Sequence, residues 1–154
     1  AGEVRNTFGS NISFRREAFE ELGGFDENLG RKGDNQVQGE ETEIAARMYE
    51  EYGERVWYTP DAKVGHKVFD YRTDPVWLLK RAFWQGYSKR VMDDLVDDDG
   101  QEGEFLKQLL LNFVPNRLAG LVRKPSLTDA EQLVMLVVLT AAVGFGFLYG
   151  LVRY

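Results

Sequence analysis

"GSNISFRREAFEELGGFDENLG", Gly9 to Gly30, changes character twice along its length. Its Gly-Ser-Asn opening lets the backbone come close to a ligand, because glycine carries no Cβ, and sets polar side chains beside that approach. Ser13 is placed to cap a short amphipathic helix in which Phe14, Ala18, Phe19 and Leu22 share a face, and Gly23-Gly24 ends it. From Phe25 to Gly39 the chain reads as a polar, glycine-rich loop, long enough to point to function rather than simple connection.

Downstream, "QGEETEIAARM" (Gln38–Met48) opens a helix from Glu40 to about Tyr52, with Ile44, Met48 and Tyr52 at helical spacing and Gly53 as its stop. Glu40, Glu41 and Glu43 fall in its first turn, where unpaired N–H groups and the helix dipole attract negative charge. That alone makes them a solvated helix start; a catalytic cluster needs support from elsewhere. "RVWYT" reads as a strand, Pro60-Asp61 as a turn, and "AKVGHKV" as a second strand with Ala62, Val64, His66 and Val68 on one side. Asp74-Pro75 is a cap and first-turn proline for a helix to about Leu95. On it Arg81, Gln85 and Ser88 recur at helical spacing, interleaved with Trp84 and Tyr87; the same pattern describes an amphipathic helix lying on a neighbouring element. "DDDGQEG" is a solvated acidic break, Phe105–Phe113 a further apolar helix stopped near Pro115, and "NRLAGLVRK" a segment at the membrane surface with its cations toward headgroups.

The chain has 154 residues, enough for one domain, and a net charge of −6. With no basic stripe it is no general nucleic-acid binder. The absence of cysteine excludes disulfides, thiolate zinc sites and a cysteine nucleophile. It opens on "AGEVRNTFGSN" without a Met, which points to a piece of a longer protein or a processed one. Leu133–Val152, "LVMLVVLTAAVGFGFLYGLV", carries no charge and has the ~20-residue length of a bilayer-spanning helix. Its three glycines suit a membrane span better than a soluble helix, and the other reading is a buried core helix. Thr128-x-x-Glu131 offers a capping box for its start. Arg117, Arg123 and Lys124 precede the run and Arg153 follows it, which places the main domain in the cytoplasm.

Taken in order, G-S-N-x-x-F-R-R-x-x-F-x-x-x-G-G-F-D-E-x-L-G, then G-E-E-x-E, then Y-x-P-x-A-x-V-x-H, then R-x-x-x-Q-G-x-S resembles the C-terminal half of family 2 glycosyltransferases, over about Thr7 to Lys89. The tail "VGFGFLYG" is similar to that of membrane-anchored members, including archaeal enzymes that build lipid-linked glycans for protein N-glycosylation. The resemblance implies an α/β fold, the acceptor-side part of the GT-A glycosyltransferase architecture, over residues 1–98. Linker and surface helices follow over 99–128 and a transmembrane helix over 129–154. It implies an inverting transfer from a nucleotide-sugar donor to a lipid-linked acceptor of polyprenyl or dolichyl phosphate type.

By the same resemblance Glu41, where the family usually has Asp, is the base that takes the acceptor hydroxyl proton, with Glu40 beside it. An anionic lipid-phosphate acceptor would need little deprotonation and would leave the carboxylate a positioning task. His66, the chain's lone histidine, matches a residue that completes a divalent metal site, with Mn²⁺ favoured over Mg²⁺ by an imidazole donor. Gly9, Ser10 and Asn11 match the loop lining the donor sugar. Arg47 matches a residue that orients the acidic cluster by an ion pair, and Arg81 and Gln85 match positions near the acceptor or diphosphate entrance.

One departure matters. The family's nucleotide-binding half carries an Asp-x-Asp motif, and none precedes the Gly-Ser-Asn loop; "DDLVDDDG" (Asp93–Gly100) comes too late. The chain is therefore expected neither to hold nucleotide sugar tightly nor to turn over alone. The rival readings are a noncatalytic membrane-anchored interaction module and a transporter fragment.

Overall fold

The acidic turn and the two glycines around it shape the centre of the chain. In the computed structural model, which describes residues 1–31, 33, 36–95 and 107–153, helix α2 (Glu40–Tyr52) begins and ends on glycine. Gly39 sits at φ 118° and Gly53 at φ 69°, both left-handed conformations that a side chain resists. Three carboxylates in the first turn offset the unpaired N–H groups there. A shorter helix, α1 (Arg16–Glu21), starts later than the Ser13 cap predicts, from an extended Arg15 that makes no side-chain cap bond. It ends as expected: Gly24 N–H donates to the Phe19 carbonyl at 2.9 Å, with both glycines at positive φ. The predicted apolar face closes on itself as an aromatic triad, with ring centres of Phe14, Phe19 and Phe25 5.3 to 6.0 Å apart.

Strands are few. β1 (Gly2–Val4) pairs antiparallel with β2 (Val56–Tyr58), in register Gly2 to Tyr58 and Val4 to Val56. β2 is the strand read from "RVWYT". The second expected strand does not form: residues 61–70 are exposed and no strand lies beside them among the described residues. Alternation can mark a strand, but without a partner its backbone groups go to water instead. The expected α/β character thus reduces to one two-stranded ribbon in a mainly helical chain.

Asp74 caps α3 (Pro75–Asp93) as predicted, its Oδ1 accepting from Val76 N–H at 2.9 Å and Trp77 N–H at 3.0 Å. The core forms where the long loop lies against this helix: Leu29 and Val37 are buried with Val91, and Trp84, Tyr87 and Met92 pack around them. The loop read as polar is thus anchored at both ends by apolar side chains. Ile44, fully buried, is the matching anchor on α2.

Past the acidic run, whose residues from 96 to 106 lie outside those described, the chain is helical from Lys107. A π-turn (Leu109–Phe113) leads into α4 (Val114–Arg123). The expected stop at Pro115 does not occur, and the helix runs through it. Proline lacks an N–H and its ring crowds the carbonyl four residues earlier; widening the preceding turn relieves that conflict. The last helix, α5 (Leu127–Arg153), is capped by Ser126 and not by Thr128, with Asp129 N–H directed at Ser126 Oγ.

The apolar helix is present as the sequence requires, long and apolar enough to cross a membrane. Tertiary structure adds that it is docked on α3, running in the same direction. Gly86 of α3 lies between Val143 and Phe147, Gly146 of α5 between Phe83 and Tyr87, and Gly150 against Arg90. A methyl group built on either Gly86 or Gly146 would fall 1.8 Å from a backbone carbonyl of the other helix, so only glycine permits this approach. Tyr149 packs beside Phe83 and Tyr87, at 5.5 and 6.0 Å between ring centres.

Candidate functional site

Helix α3 carries two opposed faces. Phe83, Gly86, Tyr87 and Arg90 meet α5, while Arg81, Gln85, Ser88, Lys89 and Met92 line a cleft of about 430 Å³ on the other side. The cleft's opposite wall is the start of α2 with Gln38, Gly39, Glu41 and Thr42, and Arg5, Asn6 and Phe8 close it from the N-terminal segment. Two bonds set the wall's position: Ser88 Oγ accepts from Gln38 N–H at 2.9 Å and donates to the Trp84 carbonyl at 2.7 Å. Across the cleft Asn6 Nδ2 donates to Thr42 Oγ1 at 2.8 Å.

The three glutamates have three separate roles. Glu41 lines the cleft, and its Oε1 accepts from Gly9 N–H at 3.2 Å, so the Gly-Ser-Asn loop and the acidic helix are brought together. Glu40 turns back to its own helix entrance and accepts from Gly39 N–H at 3.1 Å, beside Gly30. Glu43 is buried and grips Arg47, whose Nη2 donates to Glu43 Oε2 at 2.7 Å and whose Nε donates to Oε1. The same guanidinium donates to the carbonyls of Leu22 and Gly24. Arg47 thus ties the end of α1 to α2, with its donors spent on that joint, outside the cleft lining. The bond to Glu43 raises its pKa further above an ordinary arginine's.

Gly9 reaches the cleft through Glu41, but its neighbours lead elsewhere. Asn11 Nδ2 donates to the Ala62 carbonyl at 2.7 Å, bracing the loop against the turn after β2, and Ser10 is exposed. His66 is also exposed, with Nε2 3.4 Å from Arg72 Nη1. A guanidinium at that distance opposes a cation on the same ring, and among the described residues no three His, Asp or Glu side chains converge. A metal held by His66 would draw on further ligands from outside the described residues.

Arg81 is the charged centre of the cleft. Its Nη1 is buried and has no hydrogen-bond partner among the described residues. Burial, followed by the positive charges of Arg31 and Arg72, lowers its pKa, and Glu41 and Glu40 act against that shift. Arg5 and Lys89 share the lining with Arg81, Glu41 and Asp93, so cations and carboxylates face the same space. Helical spacing marks Arg81, Gln85 and Ser88, and the family resemblance marks Glu41; neither marks Lys89 and Met92, which continue the same helical face, and Arg5 and Asn6 carry no local signal.

No family model matches the chain, and no solved structure matches it. A curated relative does. The glucosyl-dolichyl phosphate glucuronosyltransferase of Haloferax volcanii is 55% identical over 150 residues, which cover 97% of this chain and 48% of the relative. The chain spans about half the length of that protein, and over nearly all of its own length it is homologous to an archaeal glycosyltransferase.

Proposed function

We propose that this chain supplies the acceptor-side part of an inverting family 2 glycosyltransferase of the GT-A type. The enzyme would move a sugar from a nucleotide-sugar donor to a sugar carried on dolichyl phosphate, at the cytoplasmic face of the membrane. The observation that carries the reading is Arg81: a buried guanidinium nitrogen without a partner among the described residues, opening on a cleft whose facing wall is Glu41. Leaving a buried donor unpaired costs about 1–3 kcal/mol, and more when it is charged, and a phosphate oxygen of a lipid-linked acceptor would relieve it. The relative's name supports the same substrate class.

An acceptor of that kind reacts through a sugar hydroxyl, which, unlike a free phosphate oxygen, must lose a proton. The hydroxyl oxygen forms a bond to the donor's anomeric carbon as that carbon's bond to the nucleoside diphosphate breaks with its electron pair. The proton passes to the Glu41 carboxylate. Gly9 N–H holds one oxygen of that carboxylate, fixing the longer Glu arm where the family usually has Asp. Arg81 holds the acceptor's phosphate, and Lys89, Arg5 and Gln85 line the same approach.

The full-length enzyme in lipid nanodiscs tests this by kinetics. Glu41→Gln should lower kcat by ~10²–10⁴ with little change in acceptor KM. Arg81→Gln should raise acceptor KM, and Arg81→Lys should recover part of the loss, since it restores charge without the planar fork. Near-normal kcat in Glu41→Gln, or an unchanged acceptor KM in Arg81→Gln, would overturn the assignment.

A further inference from the structure

We propose that α5 lies along the membrane surface, docked on α3, and does not cross the bilayer. The argument begins with what accompanies it. Along Val143–Gly150 α5 is flanked by Phe83–Arg90 of α3 running in the same direction, at a backbone approach that Gly86 and Gly146 alone allow. If α5 crossed the hydrocarbon, α3 would go with it. α3 cannot: Lys80 is exposed on one flank, Arg90 packs against Gly150 beside α5, and the far face is the polar cleft with Arg81 and Lys89. Charged groups of this kind are costly in a bilayer core.

The opposite side of α5 is unsuited to water. Val137, Phe145, Leu148 and Val152 lie about half a turn from the glycine seam and are exposed, and only 11% of the most apolar window is buried within the chain. Lipid is the occupant that fits this face, because the adjoining segment is built for the same surface. In α4, Leu118 and Val122 are exposed on one side, with Asn116 and Arg123 on the other. Between Lys107 and Thr128 the chain has four cations and no acid, although its net charge is −6. Arg117 reaches across to Asp129 at 3.1 Å and joins α4 to the start of α5. Two consecutive helices, joined by that pair, thus each leave an apolar face uncovered, and α3 stands between α5 and the cleft, which puts the cleft about one helix diameter, ~10 Å, from lipid.

Topology tests this without any assay of activity, so its failure is separable from that of the catalytic reading. The chain has no cysteine of its own. Thr128→Cys and Arg153→Cys, made singly in the full-length protein in sealed cells and in inside-out vesicles, are treated with a membrane-impermeant maleimide. A surface helix labels at both ends from the same side; labelling from opposite sides would overturn the proposal. A second measurement guards against a poorly folded variant. Val137→Cys carrying an environment-sensitive fluorophore is reconstituted in vesicles of phosphatidylcholine and phosphatidylglycerol with brominated lipids. Quenching should be strongest by bromines high on the acyl chains. Strongest quenching by bromines near the chain ends means a crossing helix, and no quenching means a protein-covered one; either result refutes the proposal.

Discussion

Gly86→Ala probes the close backbone approach of α3 and α5. The added methyl would stand 1.8 Å from the Val143 carbonyl oxygen, 2.7 Å from its carbon and 2.9 Å from Phe147 N. All are backbone atoms, so no side-chain rotamer can give way. Reaching an ordinary contact of 3.4 Å requires the helices to part by about 1.6 Å at the seam, which also loosens the Tyr149 packing on Phe83 and Tyr87. Overpacking of this kind costs ~1–3 kcal/mol, against which Ala gains ~1 kcal/mol of helix propensity over Gly. The net expectation is a destabilisation of up to ~2 kcal/mol, larger for Gly86→Leu, where the side chain is longer and the propensity gain no greater. Gly146→Ala meets the Phe83 carbonyl at the same 1.8 Å across the same gap. Once one methyl has opened the seam the second meets little resistance, so the double variant should lose less than the sum, with a coupling of ~1 kcal/mol or more. Urea unfolding in detergent, followed by tryptophan fluorescence, measures all three. A Gly86→Ala variant stabilised by the full propensity gain, or a strictly additive pair, would refute the close approach of α3 and α5.

Gly39→Ala should destabilise by ~1–3 kcal/mol, because its φ of 118° is strained for any side chain and the new Cβ meets Met92 Sδ at 2.8 Å. Adding Met92→Ala should remove the contact but not the strain, and thermal melts of the two variants separate the effects. Glu43→Gln weakens the joint that Arg47 makes with Leu22 and Gly24, and a loss of ~1–3 kcal/mol with faster proteolysis near Gly23 is expected; unchanged protease resistance would show that the joint contributes nothing. On the proposed reading, in which an Asp-x-Asp half lies outside these 154 residues, the chain by itself should bind nucleotide sugar far more weakly than an enzyme carrying both halves, measured by calorimetry on both, and equal affinity would refute that part of the reading.

Some of this protein is settled by neighbours in sequence. Asp74-Pro75, Gly23-Gly24 and Gly53 set helix ends through bonds spanning a few residues, and the spacing of Arg81, Gln85 and Ser88 marks one helix face by periodicity alone. The length and apolarity of α5 are equally plain. The rest requires contacts between distant segments. No local rule tells that, of three glutamates in one turn, Glu41 meets Gly9, Glu40 its own helix entrance and Glu43 the guanidinium of Arg47. The strand read over Ala62–Val68 fails because a strand is made by its partner. The polar loop is held by Leu29 and Val37 only because α3 is in place to bury them. Above all, sequence makes α5 long and apolar enough to cross a membrane, while the facing glycines of α3 and α5 decide its seat: with no Cβ at the crossing, two backbones meet closely enough to bind the apolar helix to the one that carries the cleft.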